Sequence, residues 1–358
     1  MSACDYFQKE RIKYYEKVSD ICVYVCVIRV SILFCGVGSS GNPWIIETAA
    51  QLNDVRFYLG AHFKVSRDFD LSDYLMPGEP AYDGGAGWAP IGNNGNRFTG
   101  SFDGNGKAIT GLWINRGGEQ NVGLFGYTEG AVIKNLGVVI GNDGVKGGVA
   151  VGGLVGWQSG GDISNCYTTG SVSGSNGVGG LAGRQNSYGV SSSSISNCYA
   201  TGGVSGDSNV GGLVGYHYIS SGSSSISNCY AMGGVSGTSS VGGLVGYQYG
   251  GGSSIIISNC YATGGVSGTT DVGGLVGYQY GYGIVIFISN CYATGGVSGT
   301  SDVGGLVGSQ SGGGISNCYA AGSVAATDAG AGAILGISRS YGSSTLSSNY
   351  RYAGLTVT

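Results

Sequence analysis

The chain has 358 residues, of which 75 are glycine; its formal net charge is −4 and only 10% of its residues are charged. So much glycine points to low complexity or a periodic fold, while 25 tyrosines and a small net charge argue against disorder. The mild acidity excludes a nucleic-acid partner, because phosphate contacts need clustered Lys and Arg.

Residues 1–38 place Lys9, Arg11, Lys13 and Lys17 among acids, then run apolar from Ile21 to Gly38 except for Arg29 and Ser31. This order reads as a secretion signal or membrane anchor, or as upstream sequence translated from a mis-assigned start. A lipoprotein signal fits less well, because Phe34 precedes Cys35 where a small residue is expected. Any membrane association would rest on this segment, which is set aside from the fold.

Residues 39–140 read as an N-terminal cap with the first coils of a solenoid. "PWII" from Pro43 is a strand. "TAAQLNDVRFYL" is a helix, with Thr48 and Gln51 as a capping box and Ala49, Leu52, Val55 and Leu59 as its apolar stripe. Such a helix would cover the otherwise open core of the solenoid. "HFKVSRDFDL" returns to strand, and "FTGSFDGNGKAITGLWIN" reads as strand, Gly-rich turn, strand.

Residues 141–323 are repeats, and 324–358 a degenerate final coil. The leucine of G-G-L-V-G recurs at Leu154, Leu181, Leu213, Leu244, Leu275 and Leu306, in steps of 27, 32, 31, 31 and 31. From each of the first five S-N-C-Y cysteines to the next leucine is always 15 residues, so the variation in length among these units follows G-L-V-G, as in "YHYISSGSSS" from Tyr216. That places a loop there and a scaffold elsewhere. Short Val, Ile and Tyr runs between Gly and Ser predict strands. The fold expected is all-β: a right-handed parallel β-helix of 27–32 residues and three short strands per coil. A β-propeller needs about 40 residues or more per blade.

"IKNLGVV" from Ile133 is a degenerate copy of "ISNCYAT". Ile133 and Leu136 are three apart, so both face inward only if the chain bends at Asn135. A bend predicts a ladder of left-handed asparagines, Asn135, Asn165, Asn197, Asn228, Asn259, Asn290 and Asn317. It turns Cys166, Cys198, Cys229, Cys260, Cys291 and Cys318 inward as buried free thiols, and the following tyrosines outward. Without the bend, tyrosine and cysteine exchange faces. Inter-coil disulfides are not expected, since in-register stacking does not supply their geometry.

The candidate binding residues are the aromatics after G-L-V-G, taken as loop residues: Trp157, Tyr216, Tyr218, Tyr247, Tyr249, Tyr278, Tyr280 and Tyr282. Candidate chemistry is sparse. There is no CxxC and no H-E-x-x-H, and His62 and His217 are the only histidines, so no metal site, cofactor or catalytic residue is assigned. His217 reads as a solvated loop residue. Asp207, Asp271 and Asp302 precede V-G-G-L in different coils, without the constancy of a calcium ladder.

The segments "NPWIIETAAQLNDV", "GWAPIGN", "FTGSFDGNGKAITGL", "NVGLFGY", "VGGLVG" and "ISNCYATG" together resemble the GLUG-repeat family of bacterial surface and secreted proteins, over about residues 41–323. The resemblance implies a right-handed β-helix outside the cell or on its surface, of a kind found in adhesin-like proteins and as accessory regions of IgA-peptidase-type metalloproteases. It implies no catalytic residues for the repeat itself. The function expected is a non-catalytic adhesin-like protein presenting loops and aromatic rows to a glycan or to a surface protein of a host or neighbouring cell. The alternative is an accessory or truncated part of a secreted peptidase or polysaccharide-degrading enzyme whose catalytic domain lies elsewhere.

Overall fold

The computed structural model describes residues 34–187, 192–251, 254–281, 285–328, 330–338, 344–351 and 357. Tyr282 and residues 1–33 of the N-terminal segment lie outside them. The described residues form a parallel β-solenoid in which every ladder between named strands is parallel, with one sheet of eight stacked strands, from Phe125–Glu129 to Leu335–Ser338. One coil separates each residue from its partner. Val214 pairs with Val245, Val245 with Val276 and Val276 with Val307, so the sequence period is the coil period.

A typical coil runs through Ser239–Gly242, Val245–Gly250, Ser254–Ser258, Tyr261–Ala262 and Val266–Ser267. The three strands expected per coil are thus five shorter segments, because left-handed residues and glycines turn the chain between them. Seven asparagines do this at the predicted bend: Asn135, Asn165, Asn197, Asn228, Asn259, Asn290 and Asn317 have φ between 52° and 54°. A short polar side chain makes asparagine one of the few non-glycine residues that adopt this conformation readily. A second left-handed ladder precedes V-G-G-L, at Asn121, Ala150, Asn209, Ser240, Asp271 and Asp302. Asp207 is not in it, since Ser208 pairs with Ser239 and Asp207 therefore stands level with Thr238. The glycine pair before each leucine permits close approach: a Cβ on Gly211 would lie 2.0 Å from the Val214 carbonyl oxygen.

The bend fixes what is inside. Leu124, Leu154, Leu181, Leu213, Leu244, Leu275 and Leu306 are fully buried, and the six ladder cysteines are free and at most 1% exposed. Each of the six thiols from Cys166 to Cys318 points at the carbonyl two residues back, 3.0–3.2 Å away, and each amide from Cys166 to Cys291 donates to the next coil's sulfur at 3.3–3.4 Å. Burial, which strips a thiolate of its solvation, pushes the Cys198 thiol well up. In the final coil the position of the cysteine is taken by Asn349. Its Oδ1 accepts from the Cys318 amide (3.0 Å) and its Nδ2 donates to the Ile315 carbonyl (2.8 Å), the same kinds of partner that a sulfur serves elsewhere.

At the N-terminal end, Ala49–Asp54 is the predicted helix, shorter than expected because Val55–Phe57 tightens into a 3-10 turn. Thr48 caps it by accepting from the Gln51 amide, and Gln51 Oε1 accepts from the Glu47 amide (2.7 Å). Leu52 and Val55 are fully buried against the core. Ser101–Val122 lies parallel to Val132–Gly152, and the glycine-rich stretch is a corner where the register shifts between Asp103 and Lys107.

Candidate functional site

The aromatics after G-L-V-G are strand residues rather than loop residues. Val214–Ile219, Val245–Gly250 and Val276–Gly281 alternate, so the tyrosines at Tyr216, Tyr218, Tyr247, Tyr249, Tyr278 and Tyr280 turn outward while the residue between them turns in. In-register pairing then stacks like on like. Ring centroids are 5.2 Å apart for Tyr216 and Tyr247, 5.1 Å for Tyr247 and Tyr278, 5.1 Å for Tyr218 and Tyr249, and 5.2 Å for Tyr249 and Tyr280. Trp157 extends the first column, stacked on Tyr127 at 5.3 Å. The Arg184 guanidinium is inserted between Trp157 (5.2 Å) and Tyr216 (5.6 Å), where the attraction of a cation to ring faces replaces ring stacking.

A separate row, Tyr167, Tyr199, Tyr230, Tyr261, Tyr292 and Tyr319, follows the cysteines and faces outward, as the bend predicts. Its centroids are 4.7–5.0 Å apart and its planes within 9° of parallel. The rings cover one another's faces, so the rows offer solvent mainly ring edges and phenolic hydroxyls. Burial and the neighbouring phenols push Tyr247 up, and Tyr199 and Tyr230 in the same sense. These three phenols therefore stay neutral and hydrogen-bonding through the physiological range.

His217 is not solvated. It is fully buried, its Nε2 is 2.7 Å from Ser224 Oγ, and burial lowers its pKa to about 3. It belongs to an interior polar ladder, Thr128, Gln158, Gln185, His217, Gln248, Gln279 and Gln310, paired rung to rung and at most 1% exposed. Gln185 Nε2 reaches Ser193 Oγ (3.2 Å) as His217 reaches Ser224, but the next coils put Ile255 and Ile286 at that position. The amides of Gln248 and Gln279 consequently have no hydrogen-bond partner. The repeat contained the signal: the fourth residue after each G-L-V-G leucine is always Gln or His.

The acids of the N-terminal part are engaged in turns and pairs. Asp68 accepts from the Ala108 amide (2.7 Å), Asp70 from the Ser72 amide (2.6 Å) and from Thr110, and Asp83 pairs with Arg116 (2.5 Å). Hydrogen bonds from Ser72 and Thr110 hold the Asp70 carboxyl below its ordinary range. Among the described residues, no group of three or more His, Cys, Asp or Glu side chains is placed to hold a metal ion, and no helix is long and apolar enough to cross a membrane.

Three segments, residues 147–173, 237–267 and 299–325, match the family model described as the GLUG motif. A "Putative Gly-rich membrane protein" of Evansella cellulosilytica is 41% identical over 135 residues, 33% of this chain and 15% of that protein. Halomucin of Haloquadratum walsbyi is 37% identical over 158 residues, 42% of this chain and 2% of that protein. The chain thus spans a small part of both relatives. A crystal structure named as that of a "putative immunoglobulin A1 protease" from Bacteroides ovatus superposes with a TM-score of 0.53 and 23% identity, over 88% of this chain and 86% of the other. At that identity the likeness is one of fold.

Proposed function

We propose that this GLUG-repeat solenoid is a non-catalytic, adhesin-like protein of the cell surface or extracellular space, and that its tyrosine rows touch a glycan or a surface protein of a host or neighbouring cell. The observation that carries the reading is the placement of the rows. Tyr216, Tyr247 and Tyr278, with Tyr218, Tyr249 and Tyr280 beside them, stand outside a core that leucine, valine, cysteine and alanine already fill. Half-buried tyrosines combine a large apolar surface with a hydrogen-bonding tip, a combination enriched at recognition surfaces. Because the ring faces are stacked on one another, recognition by these rows would use edges and hydroxyls repeated once per coil, a spacing suited to a repeating polymer. The names of the relatives, a membrane protein and a halomucin, support a place outside the cytoplasm.

The test is adhesion of the full chain to immobilised glycans and to bacterial and host cells. Changing Tyr216, Tyr247 and Tyr278 together to Ala should reduce binding by at least about tenfold. Wild-type protein that adheres to no glycan and no cell would end the reading.

A further inference from the structure

The regular coils present flat, glycine-paved corners, but the first two do not. Leu112 pairs with Ile140 and Ile114 with Val145, so the four residues 141–144 bulge opposite the single residue Trp113. In the repeats the same corner has equal length from coil to coil, since Tyr167 pairs with Tyr199 and Val172 with Val204. A non-repeating excursion, containing the 3-10 turns Asp73–Leu75 and Pro80–Gly85, leans over the bulge. Between them lies a cavity of about 540 Å³ lined by Ser72, Met76, Tyr82, Trp113, Asn142 and Asp143 among others.

We infer that this cavity is a saccharide site that takes one or two neutral sugar rings. Its size falls within the range of small-molecule sites, about 300–1,000 Å³. Trp113 and Tyr82 meet edge to face, with centroids 5.9 Å apart and planes at 62°. These rings are not part of a stacked row, and Trp113 lines the cavity while packing against Gly87 on the other flank, where a Cβ would lie 2.6 Å from its Cε3. An indole surface packs against the apolar C–H face of a pyranose, and Asn142, Asp143 and Ser72 supply the acceptors and donors that pair with hydroxyls. Asn142 and Asp143 are exposed on the bulge. Asp143 is the only charged group among the lining residues, so an anionic ligand would find no cation. The volume exceeds what a small ammonium group would fill.

This inference rests on the glycan version of the proposed function but assigns it to a different part of the chain. The experiment is calorimetry and saturation-transfer NMR on the full chain, with lactose, cellobiose and N-acetylglucosamine as probes and choline chloride and inorganic phosphate as controls. At least one sugar should bind, and Asn142→Ala/Asp143→Ala should weaken it at least about tenfold. Trp113→Ala should do the same, and because Trp113 also packs on the core, the exposed double variant decides if that protein fails to fold. The triple variant at Tyr216, Tyr247 and Tyr278 should bind the sugar unchanged. A sugar lost with the tyrosine rows and kept in the double variant overturns the pocket and leaves the adhesin reading standing. Binding of choline or phosphate in place of sugar overturns the ligand class. No binding of any sugar overturns the inference, while cell adhesion, measured separately, still tests the proposed function.

Discussion

Residues 34–152 and the repeats after them are one continuous solenoid held together in two ways. The first part packs Phe63, Trp88, Phe98, Phe102 and Phe125, each fully buried, with Phe98 and Phe102 wedged against both Phe63 and Phe125 at different ring angles. The ion pairs Arg97–Glu129, Arg116–Asp83, Arg116–Glu119 and Lys134–Asp103 are also there. Beyond residue 153, no aromatic residue is among the buried described residues, and Leu, Val, Ile, Cys and Ala each meet their own copy one coil away. Unique contacts define one register. Repeated contacts tolerate a shift by a whole coil but not by one residue, which would turn every side chain to the wrong face. The irregular part therefore sets where the regular part begins.

The contrast is open to direct attack. Phe102→Ala should be the most damaging single change, costing about 3–5 kcal/mol because neighbours of different shapes cannot close the void. Hydrogen exchange should show the loss spreading through residues 34–152 and into the first repeats. Leu244→Ala should cost about 2–5 kcal/mol, with lost protection centred on the coils of Leu213 and Leu275, since a solenoid couples mainly to nearest neighbours. If Leu244→Ala loosened the whole chain as widely as Phe102→Ala, the two regions would not differ as argued.

His217 offers a pH test confined to the repeats. Its folded pKa of about 3 lies below the ordinary 6.5, so as pH falls below 6.5 the unfolded chain takes up a proton that the folded chain refuses. The stability contributed by the neutral imidazole is present above pH 6.5 and is lost downward toward pH 3, at about 1.4 kcal/mol per pH unit. His217→Gln places at this rung the residue already found at Gln185 and Gln248. Denaturant melts at pH 7 and 4.5 should show the variant losing less on acidification than the wild type; equal slopes would refute the burial argument.

The smallest effect is expected at the asparagine corner. Asn259→Ala should cost about 1–2 kcal/mol through its left-handed backbone, whereas Asn259→Gly should be nearly neutral. Equal losses in thermal melts would mean that the side chain, rather than the backbone, matters there.

The sequence made the coil legible because identical residues at a constant interval must meet. The asparagine bend, the inward cysteines and the outward tyrosines followed from Ile133 and Leu136 lying three apart. His217 and the strand tyrosines lie in a segment whose length varies after G-L-V-G, and variable length points to a loop although only the end of the segment is one. The strand in fact continues through Ile219 in that coil, and the slack begins only after it. The interior polar ladder breaks the expectation of an apolar core, which is why a constant Gln or His does not by itself announce a buried position. The cavity beside Trp113 depends on a four-residue bulge in a single coil, which no repeat comparison could show.

The corner after that strand has one further consequence. Where only 12 residues separate leucine from cysteine it is closed by tandem left-handed glycines, Gly160–Gly161 and Gly312–Gly313, whereas the coils with 16 or 17 spend their four or five extra residues between strands that remain in register on both sides. The solenoid thus has an expansion joint on a single edge. A foreign peptide spliced between Ser221 and Gly222, past the hydrogen bonds that tie Ser220 and Ser221 to Ser187, would be displayed there with the rungs above and below kept, and several such peptides in successive coils would stand in file along one side of the rod.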